Sequence, residues 1–164
     1  MENLTKINNP FIAAKGDEYH CFGCSPDNKA GLLMEFYTDG SKVYAEWTPT
    51  KTFEGYHNVV HGGIQSTIMD EIASWTVYAL LDTAGVTQKM TVDYHKSLFL
   101  SHGDVRIESE VKVNDGKTAT MYVEVKNSKG ELCSSAEVVY FLFPPAVARR
   151  KFNYPGKEAF LKTL

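Results

Sequence analysis

The longest regular pattern in the chain is an apolar stripe at helical spacing. Ile64, Ile68, Ile72, Trp75 and Ala79 recur at intervals of three and four residues, which predicts a helix over about residues 64–81. Met69, Ala73, Val77, Leu80 and Leu81 fill much of the remaining circumference, so this helix is expected to be buried on most sides. The stretch 82–85 ends it, with Gly85 as a plausible cap.

The flanking patterns are strand-like. Residues 32–37 and 42–47 read as a hairpin about Asp39-Gly40. Residues 49–60 read as a loop that delivers the chain to His61. After the helix come four runs, about 87–99, 104–113, 118–126 and 132–143. Val105, Ile107, Ser109, Val111 and Val113 alternate clearly, as do Met121, Val123 and Val125. Ser101-His102-Gly103, Asn114-Asp115-Gly116 and Ser128-Lys129-Gly130 supply turns, making the last three runs a meander. Pro144-Pro145 stops the last one. Residues 1–30 lack a period and read as loop or short helix. The order strand, strand, helix, four strands implies an α+β fold, with a curled antiparallel sheet of about six strands around one long central helix. A sheet leaves one side of that helix open, and a second copy of the chain is the simplest cover.

Composition narrows this picture without changing it. The 164 residues suit one domain, and 43% hydrophobic with 23% charged residues is an ordinary globular balance. A net charge of −3 gives no basic footprint for nucleic acid. No apolar run reaches the ~18–20 residues of a membrane span, and the polar start Met1-Glu2-Asn3 does not resemble a secretion signal. The expectation is a cytoplasmic protein with neither nucleic-acid nor membrane partners. Cys21, Cys24 and Cys133 are too few for a disulfide framework. Cys21-Phe22-Gly23-Cys24 has the spacing of half a zinc site, with His20 adjacent, but no second pair follows. The expectation is therefore a tight turn with two partly buried thiols and no metal. Arg149-Arg150-Lys151, near the end, reads as solvated surface or as a contact for ligand phosphates.

Candidate chemistry concentrates at the mouth of the long helix. The first turn of a helix carries unpaired amides and the positive end of the macrodipole. Gly62 and Gly63 stand there, and glycine lets a ligand oxygen approach the amides closely. Two turns in are Asp70 and Glu71, acids inside an apolar helix; each is either a working group or a salt-bridged rim carboxylate. Gly62 and Asp70 are eight positions apart, or ~12 Å at the rise of an α-helix. Reacting atoms must lie within ~3–3.5 Å of their attacking groups. If both ends act on one carbonyl, the glycines of one subunit must face the acid of another.

Taken together, Cys21-Phe22-Gly23-Cys24, Asp27-Asn28, Gly31-Leu32, Val60-His61-Gly62-Gly63 and Asp70-Glu71 resemble the hotdog-fold acyl-CoA thioesterases. The likeness is to the phenylacetic-acid-degradation type within the 4-hydroxybenzoyl-CoA thioesterase superfamily. Residues 86–94 resemble the strand that follows the helix in that family, and the likeness covers about residues 20–143. It implies a hotdog domain at 31–143, an N-terminal extension at 1–30 and a C-terminal tail at 144–164. It also implies a homodimer, with a dimer of dimers as a further option, and sites at the dimer interface. Gly62, with Gly63 beside it, matches the amide that polarises the thioester carbonyl. Asp70 matches the catalytic acid, as general base or nucleophile, and Thr87 the hydroxyl residue that holds acid or water. His61, Asn58 and Glu71 are assigned to substrate binding. Coenzyme A is part of the substrate, and no separate cofactor is implied. Many relatives have asparagine where this chain has Gly55; Asn58 lies nearby. Two other readings fit the same fold: a non-enzymatic acyl-CoA binding module, and an acyl hydratase or dehydratase. The latter class usually pairs a histidine with its acid, and no histidine follows Asp70 in the helix.

Overall fold

The computed structural model describes residues 4–161. At its centre is α2 (Gly62–Leu80), which starts two residues before the apolar stripe. The reason is His61, whose ring Nδ1 accepts the Gly63 amide at 2.9 Å and caps the first turn. Ile68, Met69, Ile72, Ala73, Val77 and Ala79 are fully buried; each large aliphatic among them gains about 1.5–3 kcal/mol from leaving water. The helix also buries two polar residues, and both are satisfied. Gln65 donates to the Val60 carbonyl at 3.0 Å and accepts from Ser134 at 2.9 Å. The Thr76 hydroxyl bonds the Ile72 carbonyl and Ser109. The C-terminal end differs from expectation. Leu81 is the cap and Asp82 takes the left-handed turn at φ 52°. Gly85 instead opens the next strand, where a Cβ would stand 2.8 Å from the Phe141 carbonyl oxygen.

Among the described residues, seven antiparallel strands form the sheet that wraps the helix: β1 (Thr5–Ile7), β2 (Phe36–Thr38), β3 (Lys42–Trp47), β4 (Gly85–Tyr94), β5 (Val105–Asn114), β6 (Thr118–Lys126) and β7 (Leu132–Leu142). Their order is β1-β2-β3-β5-β6-β7-β4. This is the curled sheet and central helix of the hotdog fold. The count exceeds six because β1, too short to show a period, pairs with β2. Conversely, β2 holds three residues where the pattern predicted six. Leu32 and Met34 spend their amides on the Phe22 and Gly23 carbonyls, at 2.8 and 2.9 Å, and Leu33 turns left-handed at φ 54°. The meander β5-β6-β7 turns at Gly116 and Gly130, both at positive φ.

Among the described residues β4 is an edge strand, paired with β7 alone. It ends five residues before the predicted boundary: the His95 and Lys96 amides both converge on the Cys133 carbonyl, which breaks the ladder, and beyond them the chain bonds the loop before α2, through Val60 to the Leu98 carbonyl and Leu100 to the Asn58 carbonyl. Most of its residues are exposed, on both faces. The other side of α2 is covered in part by the chain's own ends: α1 (Pro10–Lys15), α3 (Pro145–Phe152) and α4 (Glu158–Leu161). Tyr78 stacks on Tyr154 and Phe160, Phe11 meets Phe160 edge-on, and Trp75 stacks on Phe36 with centroids 4.6 Å apart. The cover expected from a second copy is thus partly supplied within one chain. Among the described residues, no helix is long and apolar enough to cross a membrane.

Candidate active site

Asp70 projects from α2 toward the sheet edge, where two hydroxyls meet it. Thr87 Oγ1, on β4, donates to Asp70 Oδ1 at 2.7 Å. Tyr140 OH, on β7, lies 2.9 Å from the same Oδ1 and 2.9 Å from the Asp70 carbonyl. Oδ2 has no hydrogen-bond partner among the described residues. Burial, and then the charge of Asp70, hold the Tyr140 phenol far above its usual range, so it remains a protonated donor. The sequence pointed to Asp70 and Thr87 and missed Tyr140. Alternation in β7 marks Tyr140 as core, and nothing in that pattern says its hydroxyl meets a residue seventy positions earlier.

The mouth of α2 is a second, separate cluster. The Gly63 amide is engaged by His61 Nδ1, whereas the Gly62 amide has no partner among the described residues. Tyr94, at the far end of β4, donates to the Gly62 carbonyl at 2.8 Å and shares a hydrogen bond with Ser66 Oγ at 2.8 Å. A Cβ on Gly62 would sit 3.4 Å from the Tyr94 hydroxyl. Gly55 packs against the mouth from outside: a Cβ there would meet His61 Cα at 3.1 Å. Asn58 pins the loop. Its side chain donates to Ser101 Oγ at 2.9 Å and accepts from the Ser101 amide at 3.0 Å, with the backbone at φ 60°. Both ends of its amide are thereby engaged with Ser101.

Glu71 joins neither cluster. One position on from Asp70, it is turned by about 100° around the helix and meets the N-terminal loop. Trp75 Nε1 donates to its Oε1 at 3.0 Å, and the Cys21 thiol lies 3.5 Å from that oxygen. Cys24 is buried and lies 2.9 Å from the Tyr19 hydroxyl. Hydrogen bonding between the two cysteines holds the Cys21 thiol below its usual range and pushes Cys24 above it. Among the described residues, Cys21, Cys24 and Glu71 form the one group of acids, histidines and thiols close enough to share a cation. Arg149, Arg150 and Lys151 lie in the last turn of α3, where positive charge suits the helix dipole.

The comparisons with known proteins agree on the frame. Several solved structures superpose on the chain at low identity. A hypothetical thioesterase protein from Streptococcus pneumoniae TIGR4, with coenzyme A, is 24% identical over 62% of this chain and 81% of that one, with a TM-score of 0.58. Zebrafish thioesterase superfamily member 2 is 20% identical over 82% of this chain and 94% of that one, at 0.65. The Escherichia coli PaaI protein from the phenylacetic acid degradation operon is 16% identical over 69% and 81%, at 0.63. Comparison with curated proteins finds no match. The fold is the hotdog fold, and residues 57–134, from the loop before α2 into β7, match the family model of the Thioesterase superfamily.

Proposed function

We propose that this chain is an acyl-CoA thioesterase, hydrolysing a thioester to a free acid and coenzyme A at a site shared by two copies. The observation that carries this reading is the Thr87–Asp70–Tyr140 cluster beside an exposed edge strand. Two donors fix one carboxylate oxygen and leave the other to act. In the general-base course, Asp70 takes a proton from water as the water attacks the thioester carbonyl. In the nucleophilic course, Asp70 attacks directly and water releases the acid from the resulting anhydride. In either course the carbonyl oxygen gains negative charge, which the Gly62 amide at the positive end of α2 stabilises. The intermediate then expels the coenzyme A thiolate. Coenzyme A in the Streptococcus pneumoniae relative supports this substrate class.

The two clusters belong to opposite ends of β4, which supports one way for two copies to join. Thr87 touches Asp70 near one end, and Tyr94 touches Gly62 at the other. A second β4 adding antiparallel to the free edge, about a twofold midway between Met90 and Thr91, sets Thr87 opposite Tyr94 of the partner. Asp70 of one copy then faces Gly62 of the other, which removes the ~12 Å separation within a single chain. Each homodimer holds two such sites.

The test is thiol release from short, long and aromatic acyl-CoAs. Wild type should cleave at least one class, and Asp70→Asn should reduce kcat on the best substrate by about 10²–10⁴-fold. An Asp70→Asn variant that matches wild type would overturn the mechanism. Enoyl-CoA hydration without thioester cleavage would overturn the reaction assignment.

A further inference from the structure

We infer that Cys21, Cys24 and Glu71 form a zinc-binding site that clamps the N-terminal loop onto α2, away from the Asp70 cluster. The three side chains offer two sulfurs and a carboxylate oxygen, all within 4.8 Å of one another. Zinc takes thiolate at ~2.3 Å and carboxylate at ~2.0–2.2 Å, so tetrahedral angles put a sulfur and an oxygen ligand ~3.5 Å apart. Cys21 Sγ lies 3.5 Å from Glu71 Oε1 and 3.7 Å from Oε2. The spacing already matches that of two ligands on one ion.

The surroundings hold the ligands in place. Met34 and Leu32 donate backbone hydrogen bonds to the Gly23 and Phe22 carbonyls, fixing the turn between the cysteines. Glycine at 23 lets the turn lie directly against the Glu71 carboxylate: a Cβ there would overlap Glu71 Cδ and displace it. Trp75 Nε1 orients the carboxylate and the Tyr19 hydroxyl meets Cys24 Sγ, the kind of outer contact that fixes metal ligands. Glu71 is partly buried, and no lysine, arginine or histidine pairs with it among the described residues. A divalent cation would supply the missing countercharge. A cavity of about 160 Å³ opens between Cys21, Glu71, Ser74 and Tyr78, with room for water as fourth ligand. Binding converts both thiols to thiolates and releases two protons to the buffer.

The test uses the full chain, stripped of metal under reducing conditions. It is titrated with Zn²⁺ against a chromophoric chelator and, separately, with Co²⁺. The expected result is equimolar binding, with a sulfur-to-cobalt charge-transfer band in the near ultraviolet and the visible bands of tetrahedral cobalt. Zn²⁺ should raise the melting temperature and protect Cys21 and Cys24, but not Cys133, from alkylation. Cys21→Ser and Cys24→Ser should abolish the charge-transfer band or greatly weaken it, and Glu71→Gln should weaken binding at least ~10-fold. His20→Ala and Cys133→Ser should bind as wild type does. Circular dichroism establishes that each variant is folded. Failure of the folded, reduced wild type to give the charge-transfer band would overturn the site. So would unchanged affinity in Glu71→Gln, or a Cys21–Cys24 disulfide that forms as readily with Zn²⁺ as without it.

Discussion

Asp70 is held through one carboxylate oxygen by two hydroxyls of different kinds. Thr87 is exposed and reaches it from the edge strand, whereas Tyr140 is buried and reaches it from the next strand in. Tyr140→Phe keeps the ring and removes one donor, so it should cost about 0.5–1.5 kcal/mol of stability. It should also lower kcat while leaving KM nearly unchanged, because the phenol positions the acid rather than holding the acyl group. Denaturant melts and initial rates on the best acyl-CoA check both parts. A Tyr140→Phe variant with wild-type kcat would show that Thr87 alone positions the acid. Thr87 was legible in the sequence because it stands early in the strand after the helix, at a position the family resemblance marks. Tyr140 was not, since a β-strand pattern shows which face a residue takes and not what its terminal atom meets across the fold.

Elements were most legible where one period ran uninterrupted. The observed β3 and β6 have the boundaries that their patterns gave, and α2 differs by two residues at its start and one at its end. The misread boundaries lie where the main chain found partners off the regular ladder: the Leu32 and Met34 amides go to Phe22 and Gly23, the His95 and Lys96 amides both converge on the Cys133 carbonyl, and the Leu98 carbonyl is taken by Val60. Such bonds depend on distant segments and leave no local period. At the helix start, His61 is legible in the sequence as the entrance residue, and the fold adds the capping bond to Gly63. His61→Ala removes the acceptor for the Gly63 amide and should cost about 0.5–2 kcal/mol, read as a lowered melting temperature. The β2–β3 turn offers a pH test. Asp39 accepts the Ser41 and Lys42 amides and the Tyr44 hydroxyl, each at 2.8 Å, and these bonds hold its carboxyl well below the usual carboxylate range. A depressed folded-state value stabilises above the unfolded pKa of ~3.9 and is lost as pH falls below it. Asp39→Asn should therefore melt lower than wild type at pH 7. The gap should narrow as the pH is taken below that unfolded value, and a constant gap would mean that ionisation of Asp39 plays no part.

At the scale of the whole molecule, the two chemical clusters and the edge strand give one argument about assembly. If Gly62 and Asp70 act on one carbonyl, helical rise separates them too far for one chain, and the sequence alone then calls for two subunits. It did not say which surface joins them. The proposed dimer uses the β4 edge, since the chain's own terminal segments cover the Trp75 and Tyr78 side of α2, while β4 keeps an open edge that links both clusters. The proposed arrangement makes a demanding prediction about two defective proteins. Asp70→Asn removes the acid, and Gly62→Val crowds the amide; each homodimer should be nearly inactive. In a mixture allowed to exchange subunits, half the dimers are mixed, and each of these has one site with both lesions and one with neither. Activity should recover to about one quarter of wild type, the share expected for a twofold dimer with composite sites. Mass spectrometry under native conditions measures the mixed species, so the recovered rate can be set against its abundance. If mixed dimers form and no activity returns, Asp70 and Gly62 do not combine across subunits.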